Sequence, residues 1–193
     1  MKTLLIAALA ALIIFLFPYI RVIFKRVSLG IRIKKLCADG RVKLHKTRPL
    51  WLFGLRIGKK CDFCLETAGT IRAVKLFEMK SRRSELILTD DSEYIIRNYI
   101  AFAAGMFSRI PVDSAKKPLS IDFRHNFDDE WYGKRFVPVL LVHPVCMQIN
   151  YQSKSEQRII SAGETVNEMY IASLSKLISD IEKEIQNDRT AFI

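Results

Sequence analysis

The longest hydrophobic segment of the chain lies at its start. Residues 4–20, LLIAALAALIIFLFPYI, contain no charged side chain. A bilayer core about 30 Å thick is crossed by about 17–25 helical residues, because each residue of a helix adds about 1.5 Å. The run therefore predicts a transmembrane helix, and we assign residues 1–24 as a membrane anchor.

The same segment has a competing interpretation as a cleaved secretory signal peptide. Signal peptides begin with a positively charged region and end at a small-residue cleavage site. The residues before the run carry a single lysine, Lys2, and the small residues between Ala7 and Ala11 lie inside the run. A strongly basic segment follows at once, which opposes export. These features favour a retained helix.

Basic residues are concentrated on one side of the apolar run. Only Lys2 precedes it, whereas the residues that follow include Arg21, Lys25, Arg26, Arg32, Lys34 and Lys35. Lys and Arg near the ends of a transmembrane helix stay preferentially in the cytoplasm. The pattern predicts a single-pass protein of the cell membrane, with its N-terminus outside and its C-terminal domain in the cytoplasm.

Beyond the anchor, short segments alternate between apolar and polar residues. We predict that residues 25–40 form a basic juxtamembrane linker, either a helix interrupted near Gly30 or an extended strand. Alternation and turn residues then predict strands at 41–46, 61–66, 71–77, 85–89 and 94–98. Consecutive strands joined by tight turns usually pair with each other. This part of the chain therefore predicts an antiparallel meander.

The second half of the domain adds strands at 119–124 and 136–143 and ends on a helix. The helix is predicted by apolar residues at helical period, which are Val166, Met169, Tyr170, Leu174, Leu177, Ile178, Ile181 and Ile185. Thr165 and Glu168 have the spacing of a capping box and predict its start. The predicted fold class is α+β, a mainly antiparallel sheet with this amphipathic helix packed on it. The domain covers residues 41–187, and residues 188–193 form a frayed tail.

Charge changes the picture of the membrane-proximal part. The chain has a net charge of +11, and residues 21–60 contain 13 Lys or Arg and one acid, Asp39. A polybasic segment beside a bilayer gains about 1 kcal/mol per Lys or Arg from anionic lipid. We predict lipid contacts at Arg21, Lys25, Arg26, Arg32, Lys34 and Lys35, and at Trp51 and Phe53 in an aromatic–basic segment. The alternative for Trp51 and Phe53 is burial in the core.

Other partners are less well supported by the pattern. A basic arm can also bind the phosphates of nucleic acid, but the adjacent membrane makes lipid the better prediction and nucleic acid an unlikely partner. The C-terminal helix offers a second surface, which packs on the sheet or binds a protein partner. The oligomeric state is not predicted.

The four cysteines predict no metal and no cofactor. Cytoplasmic thiols are reduced, and the CxxC pair Cys61 and Cys64 is placed by strand alternation on opposite faces. Cys37, His45, His143 and Cys146 are the remaining ligand candidates for zinc, and their spacing matches no standard knuckle.

An enzymatic alternative rests on Asp62, Glu78 and Lys80. Their order resembles the Asp…Glu-x-Lys pattern of restriction-nuclease-like enzymes, in which two carboxylates hold a divalent metal ion and a lysine positions water. The resemblance implies a metal-dependent nuclease. The favoured prediction is a membrane-anchored, non-catalytic binding or scaffold domain whose basic arm lies on anionic lipid.

Overall fold

The computed structural model describes residues 20, 23–46, 61–79, 83–101, 109–119 and 133–190. Within them the chain forms helix α1 over residues 23–36 and helix α2 over Leu174–Thr190. The strands in chain order are β1 (Lys43–Lys46), β2 (Phe63–Glu66), β3 (Thr70–Glu78), β4 (Glu85–Thr89), β5 (Glu93–Ala101), β6 (Arg109–Asp113), β7 (Lys117–Pro118), β8 (Arg135–His143), β9 (Gln148–Gln152), β10 (Gln157–Ile159), β11 (Thr165–Val166) and β12 (Met169–Ala172).

These strands form two mixed sheets. The first has the order β1-β2-β3-β8-β12-β11, and the second has the order β10-β9-β4-β5-β6, with β7 paired to β5. β8 runs parallel to both β3 and β12, and β4 runs parallel to β9. The other pairs are antiparallel. The α+β class is confirmed, but the single meander is not.

The difference arises after β3. The predicted meander required β4 to pair with β3, but β4 lies in the second sheet. The place beside β3 is taken instead by β8, with Thr70 opposite Arg135 and Glu78 opposite His143. A strand buried on both faces is typical of parallel pairing, and nearly all of β3 is buried.

The molecule is layered as helices, first sheet and second sheet. One apolar cluster joins the two sheets and contains Phe77, Leu86, Tyr94 and Leu140. The rings of Phe77 and Tyr94 meet edge to face, with centroids 4.9 Å apart, a favourable arrangement for aromatic pairs. A second cluster lies on the opposite face of the first sheet, where both helices cover it.

The C-terminal helix packs on the first sheet but begins later than the capping box predicts. Asn167 and Glu168 both have positive φ and turn the chain between β11 and β12. This hairpin contains Thr165, Val166, Met169 and Tyr170, which we had assigned to the helix. The true cap is Ser173, whose Oγ accepts a hydrogen bond from the Lys176 backbone N–H at 3.3 Å. The helix continues to Thr190, within the predicted tail.

The segment predicted as a linker is helical. α1 continues through Gly30 to residue 36, and its Leu29 and Ile33 are buried against the first sheet. Of the predicted anchor, residues 1–24, the structure describes only Ile20, Ile23 and Phe24, and the last two are the first residues of α1. Among the residues that the structure does describe, no helix is both long and apolar enough to cross a membrane.

Candidate membrane-contact surface

Helix α1 carries apolar side chains on the side that faces away from the sheet. Ile23, Phe24, Val27 and Ile31 lie on one side of the helix, and all four are exposed. Phe24 is 69% exposed and Ile31 is 61% exposed. We call these four residues the outer stripe. Residues three and four apart lie on one face of a helix, so the stripe is one continuous apolar surface.

The opposite side of α1 fixes how the helix lies on the sheet. Leu29 and Ile33 are 1% and 2% exposed and pack into the cluster beneath the helices. Arg26, one turn before Leu29, also points inward and is buried. Its Nη2 is 2.7 Å from Glu78 Oε2, and its Nε donates to Glu78 Oε1 at 3.2 Å. This paired contact holds the start of α1 at the end of β3.

Arg26 therefore departs from the predicted role in lipid binding. Its guanidinium is engaged by the Glu78 carboxylate and only 10% of its side chain is exposed. The sequence could not separate Arg26 from its basic neighbours, because that separation needs the helix and its inward face. Lys25 is half-buried, while Arg32, Lys34 and Lys35 are exposed. Arg21 lies outside the described residues.

Basic residues lie at the C-terminal end of the outer stripe and along one of its flanks. At about 100° per residue, Lys34 falls within the arc of the stripe, one turn beyond Ile31, and Lys35 and Arg32 fall on one flank. Helices that lie in a membrane interface combine an apolar face with Lys and Arg at its borders. The described part of α1 has that arrangement, with its apolar face directed away from the protein.

Trp51 and Phe53 lie outside the described residues, but the residues that flank their segment are defined. Lys46 is opposite Phe63 in the β1–β2 pair, and the Asp62 N–H donates to the Val74 carbonyl at 2.8 Å. Both flanks thus lie level with the middle of β3, since Phe63 is opposite Val74. The prediction that Trp51 and Phe53 contact lipid remains a prediction.

The predicted metal triad is only partly described. Asp62 is fully buried, and its Oδ2 accepts a hydrogen bond from the Leu76 N–H at 2.9 Å. The same oxygen lies 3.9 Å from Lys75 Nζ. The Glu78 carboxylate is bound by Arg26, and Lys80 lies outside the described residues. No group of three or more His, Cys, Asp or Glu suited to a metal occurs within the described ranges, and the nuclease alternative stays an untested prediction.

Cys61 and Cys64 do not lie on opposite faces. Cys61 precedes β2, so strand alternation does not govern its direction. Both thiols are buried between the sheets, with their sulfur atoms 3.7 Å apart. The hydrogen bond with Cys61, together with burial, raises the pKa of Cys64. A thiol held neutral is a poor nucleophile, so this geometry favours packing over thiolate chemistry.

A row of polar side chains on the second sheet escaped the sequence analysis. Arg97 binds Asp113 through Nε at 2.7 Å and through Nη2 at 2.9 Å, and this contact lowers the pKa of Asp113. Tyr99 donates its hydroxyl proton to Glu85 Oε1 at 2.6 Å, which raises the pKa of Tyr99. These groups satisfy each other across neighbouring strands, as expected of a structural network.

We compared the chain with protein-family models, with curated proteins and with solved structures, and none matches. The outer stripe is an exposed apolar surface that packing within the described residues leaves unexplained. Its apolar members were visible in the sequence among the basic residues. Their common face became apparent only once the segment was known to be helical rather than extended.

Proposed function

We propose that the protein is a membrane-anchored, non-catalytic binding or scaffold module whose helix α1 lies along an anionic bilayer surface. In this proposal residues 4–20 span the cell membrane, the N-terminus is outside and the folded domain is cytoplasmic. The observation that carries the proposal is the exposed outer stripe bordered by Arg32, Lys34 and Lys35. Apolar side chains favour the acyl boundary, and the basic side chains favour the headgroups.

A soluble partner protein would also cover an apolar stripe, and the charge pattern favours lipid over this alternative. Three of the four basic residues of α1 other than Arg26, namely Arg32, Lys34 and Lys35, follow or border the stripe, and residues 23–36 contain no acidic residue. The predicted span 4–20 ends two residues before α1 begins, so in this proposal no long tether separates α1 from the membrane.

The test uses a chain that starts at residue 20, so that the predicted anchor does not dominate binding. Vesicles of phosphatidylcholine with phosphatidylglycerol are compared with phosphatidylcholine alone in a flotation assay. The double substitution Phe24→Ser and Ile31→Ser should reduce binding to the anionic vesicles at least about tenfold, because two large apolar side chains no longer leave water. Deleting residues 21–60 is unsuitable, since it removes the buried Leu29, Ile33 and Val42.

The matched control is Ile110→Ser with Val112→Ser. These β6 residues are also exposed, at 46% and 44%, but they belong to the second sheet. The control should bind as the unaltered chain does. Equal loss in both variants, or equal binding of the unaltered chain to neutral and anionic vesicles, would contradict the proposal.

A further inference from the structure

An open groove of about 610 Å³ lies between the C-terminal half of α1 and α2. Pockets that hold small molecules commonly have volumes of about 300–1,000 Å³. The groove is lined on one side by α1 and the turn that follows it. Its other side is formed by α2 residues between positions 178 and 186. It lies next to the outer stripe, because Arg32 in its wall directly follows Ile31.

The rim of the groove is basic. Arg32, Lys35 and Arg41 line it and are all exposed. The acidic residues in the lining are Asp39 and Glu182. Asp39 is engaged by Arg41, since its Oδ1 accepts the Arg41 backbone N–H at 3.1 Å and its Oδ2 lies 3.5 Å from Nε. Three cations against two carboxylates leave an excess of positive charge.

The floor of the groove is apolar. Leu36, Ile178 and Ile185 line it, and all three are half-buried and pack against the cluster beneath the helices. A ligand that complements both parts needs an anionic group at the rim and a hydrocarbon portion on the floor. A free phosphate would contact only the rim and would leave the apolar floor in water.

We propose that this groove binds one anionic phospholipid, with its phosphate at Arg32, Lys35 and Arg41 and part of an acyl chain on Leu36, Ile178 and Ile185. Arginine suits this role because its fork of N–H donors binds phosphate oxygens in pairs. The inference rests on the proposed function, since it takes the headgroup layer to be beside α1. It adds a defined lipid site to what would otherwise be a diffuse electrostatic attraction.

The test is native mass spectrometry of the full chain in neutral detergent. The added probes are phosphatidylglycerol, phosphatidylcholine and glycerol 3-phosphate. We expect one retained phosphatidylglycerol per chain and little retention of the other two. Lys35→Glu with Arg41→Glu should weaken phosphatidylglycerol retention at least about tenfold, because basic side chains dominate headgroup attraction. Lys35→Gln with Arg41→Gln should give a smaller loss.

The matched control is Lys43→Glu with Lys183→Glu, which changes charge equally at exposed positions outside the groove lining. It should retain the lipid as the unaltered chain does. Lys35 and Arg32 also lie where basic residues offset the dipole at the end of a helix. Thermal unfolding is therefore measured in parallel, to separate lost binding from lost stability.

Equal retention by the groove variant and the control would overturn the inference, as would retention of glycerol 3-phosphate as strong as that of phosphatidylglycerol. The latter result would assign the groove to a soluble anion. The proposed function is tested separately. It fails if Phe24→Ser with Ile31→Ser floats with anionic vesicles as the unaltered chain does, whatever phospholipid the groove variant retains.

Discussion

Helices α1 and α2 cover the same face of the same sheet but differ on their outer sides. Their inner sides are alike, since Ile33 of α1 and Leu177 of α2 are both essentially inaccessible to water. The exposed positions of α2 are polar, namely Ser175, Glu182, Lys183, Gln186 and Asn187. The exposed positions of α1 include the apolar outer stripe.

A helix needs only one apolar face to pack on the sheet. α2 meets that requirement with one face and carries an ordinary polar surface on the other. Polar contacts also hold α2 on the first sheet. Glu184 accepts hydrogen bonds from Arg72 in β3 and from Thr67 in the turn between β2 and β3. α1 has a second apolar face that the described fold does not use, which is why we infer that the outer stripe contacts a membrane.

Truncation of a side chain on the inner face of either helix should have the largest effect on the free energy of unfolding. Ile33→Ala and Leu177→Ala should each reduce the free energy of unfolding by about 2–5 kcal/mol, because each leaves a cavity in a buried cluster. Ile31→Ala, on the outer stripe, should change it by less than about 0.5 kcal/mol. Urea denaturation measures all three. A large cost at Ile31 would mean that the stripe is covered within the protein, and the comparison between the helices would fail.

Loss of the ion pair between Arg26 and Glu78 should have the second-largest effect on the free energy of unfolding. Arg26→Ala should reduce the free energy of unfolding by about 3 kcal/mol, because the partly buried Glu78 carboxylate loses its compensating charge. Arg26→Met with Glu78→Leu should reduce the free energy of unfolding by less than Arg26→Ala does, since no unpaired charge remains. Arg32→Ala is the exposed control on the same helix, read in the same denaturation assay. An Arg26 variant as stable as this control would contradict an inward-facing arginine.

The smallest effect concerns the polar contacts of α2 and depends on pH. Burial raises the pKa of Glu184, but hydrogen bonds from Thr67 and Arg72 outweigh it, and the net pKa lies below the ordinary 4.5. A carboxyl whose pKa is lower in the folded state contributes stability above its unfolded pKa and loses it as the pH falls through the folded value. Glu184→Gln should cost about 1.5–2 kcal/mol at neutral pH.

The same substitution should narrow the difference in urea midpoint between neutral pH and about pH 3, because one of the groups that titrates on unfolding is gone. Glu182→Gln, at an exposed position of the same helix, should leave that difference as it is in the unaltered protein. If the two variants show the same acid dependence, Glu184 does not stabilise α2 through its charge.

Local pattern was enough to predict the elements but not their partners. Period and alternation predicted β1 to β5, β8 and the core of α2, because burial of one face determines the residue types at neighbouring positions. The pairing of β3 with β8 joins segments far apart in the chain, and alternation carries no information on which distant strand is adjacent. Thr165 and Glu168 have the spacing of a capping box, and the φ values of Asn167 and Glu168 that make a hairpin instead are not visible in that spacing.

For the candidate membrane-contact surface, the sequence likewise predicted the basic residues but not the directions in which they point. Charge alone predicted Lys25, Arg32, Lys34 and Lys35 as a group, since net charge is independent of conformation. It also included Arg26, because only the helical phase distinguishes an inward arginine from an outward one. The groove residue Arg41 and the α2 residues that face it were missed, since no sequence pattern brings two separate helices together.

The two sheets are connected twice at the same end of the molecule. β4 follows β3 in the chain, and β9 follows β8. β3 pairs with β8 in the first sheet and β4 pairs with β9 in the second, and both pairs are parallel. The two crossings tie the centre of one sheet to the centre of the other, and the layers should unfold as one cooperative unit. Their assembly must await the late-synthesised β8 and β9, so the domain should fold slowly for its size.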